Sequence, residues 1–468
     1  MKAPSKVKTF YTLFLQAVRG EEHEYTAGSI DRAIVLLSIP MILEMAMESL
    51  FAVVDIYFVS SLNNADATAA LGYTESMMTI LYSVAIGLSM SATAMVARRI
   101  GEKDKKAASV AAVQALYMAF GLALLVCVLG VVYYKDLLRI MGATPQVIEA
   151  GSGYTFWMFA GNFTITFLFL INAVFRGAGD AALAMRALTI SNGLNIILDP
   201  IMIFGLGPIP SMGVEGAAIA TNIGRGCGVA YQIYCLVRGR SMVTLDLHHL
   251  APDLSIIWKL VKVSAGSIAQ FIIASSSWIF LMRLMAEFGS AAVAGYTIAI
   301  RVIIFTILPS WGLSNAAATL VGQNLGAGQP DRAETSVWRA SRYNAWFMVF
   351  VMVVFLTAAG PILGFFTSDE VVLANGILCL QYVSLGYIFY GYEMVMVQAF
   401  NGAGDTKTPT VLNFFGFWLF QIPLAYLLAI ALGAGPKGIY LAIAIAESFI
   451  AIAAILLFRK GRWKTVKI

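Results

Sequence analysis

Apolar residues run along this chain in long blocks that show no regular polar face. Residues 33–60, 70–97, 107–134, 151–175, 183–206, 213–237, 256–285, 291–321, 337–359, 376–400, 409–433 and 437–458 are each dominated by Leu, Ile, Val, Ala, Phe and Met. A helix needs about 20 such residues to cross the hydrocarbon core of a bilayer, and Gly or Pro inside it is tolerated there. A helix at a water surface would keep a charged face, which these blocks lack. The pattern predicts an all-α membrane protein with twelve transmembrane helices.

Composition agrees. Of 468 residues 59% are hydrophobic and only 12% charged, where a soluble domain carries about a quarter charged. The net charge of +5 would be weak evidence for a nucleic-acid partner; here the basic residues report topology. Twenty-five of the 31 Lys and Arg fall on one side of the predicted helices and four (Lys135, Arg139, Arg283, Lys437) on the other, with Arg225 and Arg301 inside helices. The positive-inside rule then puts both termini in the cytoplasm, consistent with an even helix count in the cell (inner) membrane. The first 30 residues contain charges throughout and no apolar core of the signal-peptide kind. Residues 6–19 (KVKTFYTLFLQAVR) mix aromatic, Leu and basic positions, and either lie in the membrane interface or lead, solvated, into the first helix. The four cysteines have no CxxC spacing, and two of the three histidines are His248 and His249 in a polar loop, so neither a disulfide framework nor a zinc centre is indicated.

The chain repeats itself. FRGAGD at 175–180 recurs as FNGAGD at 400–405, a shift of 225 residues. At the same shift GLSMSATAMVARRIG (87–101) faces GLSNAAATLVGQNLG (312–326), and LGYT (71–74) resembles AGYT (294–297) at a shift of 223. These ordered matches divide the chain into an N-terminal segment (1–32), a first lobe of six helices (33–245), a second (246–458) and a basic tail (459–468). Six is even, so the two lobes are parallel repeats, and such repeats bind substrate near the midplane at their interface. The GAGD runs lack the GxxxxGK[ST] arrangement and read as tight turns with Gly at positive φ, not as phosphate loops. No ATP-binding element is present, so no cofactor is implied and energy must come from an ion or substrate gradient.

The repeat also shows which polar residues the scaffold does without. Asp55 in helix one corresponds to about Trp278, Asn172 to Val397, Asn195 to Phe420 and Asp199 to Leu424. A charge at mid-membrane costs about 2.5–3.5 kcal/mol and marks function by default. Glu44, Glu48 and Asp55, spaced four and seven apart, share one face of helix one, and Asn195 and Asp199 are one turn apart on helix five. Carboxylates and carboxamides converging where water is scarce can exchange a proton or ligate Na⁺. The plainer reading is a structural hydrogen-bond pair, with Asp199 capping a kink at Pro200. Glu44 and Glu48 either add to the cation site or line a water-filled vestibule. Glu393, the main carboxylate of the second lobe, either attracts a cationic substrate or pairs with Arg301.

Several motifs together resemble the multidrug and toxic compound extrusion (MATE) transporters over residues 33–458: Pro40 with VDIYFVSSL, FRGAGD followed by NGLNIILDPIMIFG, GVEGAAIAT, GQNLGAG and the second FNGAGD. The resemblance implies two six-helix lobes alternating between inward and outward openings. It also implies export of bulky amphipathic, often cationic, organic compounds in exchange for H⁺ or Na⁺. In members with an N-lobe ion site, the matching positions are Asp55, Asn195 and Asp199, which could also hold Na⁺, with Asn172 and Tyr154 beside them. Helix seven offers Gln270 and serines but no carboxylate, which speaks against the C-lobe site of other members. The expected partners are small organic substrates and the bilayer, with the chain a monomer because each lobe has its partner within it. A lipid-linked saccharide flippase of related fold is the alternative; it calls for a more cationic cavity than Arg225 and Arg301 supply. A membrane enzyme lacks any metal-ligand cluster or nucleophile–base pair in this sequence.

Overall fold

A computed structural model describes residues 6–21, 24–60, 62, 64–246 and 251–468; His248 and His249 lie outside these. The chain is helical nearly throughout. Helix α1 spans Lys6–Arg19, α2 Ile30–Ser60, α3 Ala65–Gly101, α4 Lys105–Ile140, α5 Pro145–Ala160, α6 Asn162–Ala178, α7 Ala181–Phe204 and α8 Gly213–Val237. The second half continues with α9 Leu254–Ala286, α10 Ser290–Gly326, α11 Pro330–Gly364, α12 Glu370–Ser384 and α13 Tyr387–Ala403. It ends with α14 Lys407–Asn413, α15 Ile422–Tyr426 and α16 Pro436–Arg459, with π-helical stretches Phe414–Gln421 and Leu427–Ala431 on either side of α15.

To within two residues, eleven of the twelve apolar blocks each lie in one of these helices or in one bent pair of them, and the block 409–433 runs through α14, α15 and the two π-helical stretches. Among the described residues nine helical stretches are long and apolar enough to span, and two bent pairs add one span each. The twelfth is α8, long enough at 25 residues but more polar, since it contains Glu215 and Arg225. Spans four and ten, expected as single helices, are instead each broken in two, α5/α6 bending by 43° and α12/α13 by 61°. Both breaks fall at a glycine that a neighbour crowds. The Asn222 side chain lies where a Cβ on Gly161 would stand, and its Nδ2 donates to the Trp157 carbonyl at 2.7 Å. At Gly386 the backbone of Ala444 approaches within 3.0 Å of the same position.

Two compact units emerge. The first comprises Met1–His23 and Leu43–Ser264, the second Glu24–Ile42 and Ala265–Ile468. Helices α2 and α9 are therefore each shared, one end packing in one unit and the remainder in the other. In the second unit the start of α2 is held by Arg332, whose guanidinium donates to the carbonyls of Tyr25, Ala27 and Gly28, and by Asp31, which meets Arg339 and Tyr343. In the first unit α1 docks on α7, with Arg186 Nη2 donating to the Val18 and Arg19 carbonyls at 3.1 and 2.7 Å.

The repeated FxGAGD run has the same work in both units. A Cβ on Gly177 would stand 2.8 Å from the Thr93 carbonyl oxygen, and one on Gly402 only 2.3 Å from that of Ala318, so each glycine lets α6 or α13 press against the backbone of α3 or α10. Small residues at such crossings are how membrane helices gain contact where lipid offers no hydrophobic drive. Two residues on, Gly179 (φ +91°) and Gly404 (φ +85°) close the helices in the left-handed region as expected.

Candidate functional site

The polar residues that distinguish the first lobe meet inside the first unit. On α7, Asn195 and Asp199 are one turn apart and buried. Asn195 Nδ2 donates to Asp199 Oδ1 at 3.1 Å and to Thr221 Oγ1, on α8, at 3.0 Å. This close approach of α7 and α8 requires Gly224, where a Cβ would stand 2.5 Å from the Ser191 carbonyl oxygen. With those bonds made, Asn195 Oδ1 and Asp199 Oδ2 remain buried without a partner among the described residues. Two oxygens left so in a membrane interior cost several kcal/mol unless something takes them up.

Asp55 reaches this pair from α2. It is half-buried, makes no hydrogen bond to a described residue, and lies within electrostatic range of Asp199, Glu75 and Arg225. Tyr154, buried on α5, is one step further out. Its hydroxyl donates to Glu75 Oε1 at 3.0 Å rather than to Asp55 or Asp199. Arg225 on α8 lies 8% exposed, hydrogen-bonded to Tyr82, over the Phe51 ring at 5.6 Å and in the field of Glu48 and Glu75. A permanently charged guanidinium is the natural counter-ion for these carboxylates, and its planar face suits the aromatic ring.

Toward the C-terminal end of α6 lies a second group. Buried Glu44 accepts from Asn172 Nδ2 at 3.0 Å and from Arg176 Nη1 at 2.6 Å, while Asn172 Oδ1 accepts from Gln232 Nε2 at 2.7 Å. Asn172 thus bonds to Glu44, and none of its hydrogen bonds goes to the Asp55 cluster. Glu48 lies between the two groups and accepts from Asn192 Nδ2 at 3.1 Å. Glu44, Glu48, Arg225, Glu75, Asp55 and Asp199 form one electrostatic chain through the unit.

Glu393 belongs to the second unit. It meets Glu447 of α16, not Arg301, which is exposed on α10 and makes no ion pair with a described residue. Both carboxyl groups are more than nine-tenths buried. Two carboxyl groups in contact repel one another when both are ionised.

Sequence reasoning missed Glu75 and Glu447 and saw Arg225 only as an intramembrane charge. The signal was there for two of them: at the shifts of the repeat Glu75 faces Ile298 and Arg225 faces Ile450. Thr221 likewise faces Ala446. Among the described residues no three or more His, Cys, Asp or Glu side chains gather as for a tightly bound metal. What the first unit offers a cation is a carboxylate, an amide oxygen and a second carboxylate nearby.

The MatE family model matches residues 40–201 and, a second time, 267–427. The chain belongs to the MatE family. These are the multidrug and toxic compound extrusion transporters, and the double match follows the internal repeat. Among its relatives, a probable multidrug resistance protein NorM of Thermotoga maritima is 24% identical over 454 residues, 97% of either chain. An FAD transporter of Shewanella oneidensis is 25% identical over 446 residues, 94% of this chain and 97% of its own. Among solved structures, a MOP superfamily transporter from Pyrococcus furiosus, described as having a binding pocket of reverse polarity that suggests a different function, superposes with TM-score 0.88 at 28% identity, covering 97% of this MatE chain and 99% of its own. The match extends to the twelve-helix, two-lobe architecture, and the chain is a multi-pass membrane protein.

Proposed function

We propose that this transporter exports bulky amphipathic organic compounds, cationic ones in particular, in exchange for H⁺ or Na⁺, with Asp55, Asn195 and Asp199 as the coupling site. The observation that carries this reading is the pair of buried, unpartnered oxygens, Asn195 Oδ1 and Asp199 Oδ2, beside a half-buried Asp55. A proton on Asp199 or a sodium ion between the oxygens would satisfy groups that otherwise stand unpaired. The multidrug names of relatives such as the Thermotoga maritima protein support the substrate class. Binding of the ion favours one opening of the lobes and binding of substrate the other, as alternating access requires. One charge moving down about 100 mV yields about 2.3 kcal/mol, enough for roughly a 50-fold substrate gradient. The basic side of the chain faces the cytoplasm of the inner membrane, with both termini there and the chain acting as a monomer.

The test uses proteoliposomes loaded with ethidium under an imposed pH gradient or Na⁺ gradient. Uphill dye movement driven by one ion and lost in Asp55→Asn is the expected result; undiminished ion-driven movement in an Asp55→Asn, Asp199→Asn double variant that inserts normally would refute it. The likeness to an FAD transporter favours a second reading, export of a flavin dinucleotide, and the same vesicles loaded with FAD test it.

A further inference from the structure

The polar chain of the first unit does not end at Asp55; it opens outward. At the end of this unit formed by the start of α3, the start of α5 and the start of α8 lies a cavity of about 230 Å³. Its lining includes Asn64, Glu149, Tyr154 and Glu215. This is the end opposite the Lys- and Arg-rich side, hence the outer face on the positive-inside rule. At about 30 Å³ per molecule it has room for several waters, with carboxylates to hold them. Glu215 packs over Gly153 there: its Oε1 accepts from Trp157 Nε1 at 2.7 Å, and its Oε2 would stand 2.6 Å from a Cβ on Gly153.

Tyr154 is where the cavity meets the coupling cluster. Tyr154 is among the residues lining the cavity although it is only 3% exposed, and its hydroxyl donates onward to Glu75 Oε1 at 3.0 Å. Glu75, on α3, is faced by Tyr154 from α5, by Asp55 from α2, by Arg225 from α8 and by Tyr82 on its own helix. Arg225 also lies in the field of Glu48. None of this is required by the scaffold: at the shifts of the repeat Glu75, Glu149, Tyr154 and Glu215 face Ile298, Ala374, Cys379 and Tyr440.

We infer that the first unit has its own outer entrance for the coupling ion, that the ion is a proton, and that it passes from the Glu149/Glu215 cavity through Tyr154 and Glu75 to Asp55. The inference rests on the antiport reading above and adds the ion and its route. A phenol relays a proton without net change. Tyr154 Oη accepts one from the cavity while its own hydroxyl proton passes along the existing hydrogen bond to Glu75, and Glu75 then hands a proton to Asp55. A buried tyrosine at the inner end offers a sodium ion no such passage.

The experiment measures initial ethidium transport by full-length protein in proteoliposomes at a fixed pH difference, with the outer pH stepped from 6 to 8. Ethidium binding to each purified variant reports that it is folded. Glu75→Gln and Tyr154→Phe are expected to slow pH-driven transport at least ten-fold, and Glu215→Gln two- to three-fold. All three should lose most at high outer pH, where protons are scarce; a structural defect would slow transport equally at every pH. Wild-type rates and pH profile in both Glu75→Gln and Tyr154→Phe, with Asp55→Asn inactive, would overturn the route and leave the antiport reading standing. Transport driven by Na⁺ alone would overturn it too. Persistent pH-driven transport in Asp55→Asn would instead overturn the antiport reading.

Discussion

Helix α7 and its counterpart 407–431 occupy the same place in the two repeats, each starting just after a GAGD turn, yet they have been filled differently. α7 is a continuous α-helix through Pro200 and buries Asn192, Asn195 and Asp199. Its counterpart buries Phe417 and Ala425 alongside Asn413 and Gln421, has Phe420 and Leu424 where α7 has Asn195 and Asp199, and widens into π-helix over Phe414–Gln421 and Leu427–Ala431. Between those stretches Pro423 lacks the N–H that a regular helix would offer to Leu419. The glycine crossings, the positive-φ turns and the broken fourth span are common to both units, so they belong to the scaffold. The unpartnered oxygens beside Asp55 belong to the first unit. A duplicated fold thus marks, without recourse to homologues, the polar positions that one copy of the scaffold does without.

The contrast can be broken most severely at the coupling pair. Asp199→Asn gives α7 a neutral side chain of the same shape and should lower ion-driven dye accumulation about 100-fold, since residues acting as a unit fail together; vesicle transport checks this. Next in size is the Glu44–Arg176 ion pair, 2.6 Å long with side chains 2% and 14% exposed. The second repeat has Asn401 at the position of Arg176. Arg176→Asn leaves a buried carboxylate without its partner and should cost about 3–5 kcal/mol. Thermal unfolding in detergent measures the loss, and adding Glu44→Gln should recover most of it if the pair accounts for the effect.

In the second unit, Glu393→Gln should change stability by less than about 1 kcal/mol, because the glutamine amide can donate to the Glu447 carboxyl. A loss as large as that of Arg176→Asn would mean that the Glu393–Glu447 pair is not the self-contained contact described here. Smallest of all is the tail, where Lys464 bridges Asp331 at 3.1 Å and Glu334 at 2.6 Å. Asp331 is 95% exposed, and Lys464→Ala should shift the melting temperature only by the equivalent of a few tenths of a kcal/mol, about the value of surface pairs.

Much of the fold was legible because lipid imposes a simple length rule, and the apolar runs follow it. The breaks at Gly161 and Gly386 were not, because a glycine in a membrane helix reads the same whether or not a neighbour crowds it; Asn222 and Ala444 decide the matter, and they lie far off in sequence. Nor does apolar patterning reveal that the start of α2 packs in the second unit, since every face of that helix is apolar enough for either. At the site, Asp55, Asn195 and Asp199 stood out as polar residues facing apolar ones across the repeat. Glu75 obeys the same rule but follows directly on the matching LGYT run, where likeness drew the eye from the one position that differs. Asn172 was placed with Asp55 by resemblance, and its hydrogen bonds to Glu44 and Gln232 became visible only once α2, α6 and α8 were packed together.

The central claim is that one unit alone couples ion and substrate. Its most direct test is to record the protons released when ethidium is added to purified protein in weakly buffered detergent, comparing wild type, the Asp55→Asn, Asp199→Asn double variant and the Glu393→Gln, Glu447→Gln double variant. Release in wild type and in the second-unit variant, with none in the first-unit variant, is the predicted result. Undiminished release after both aspartates are neutralised, or its loss only when the Glu393–Glu447 pair is removed, would contradict it.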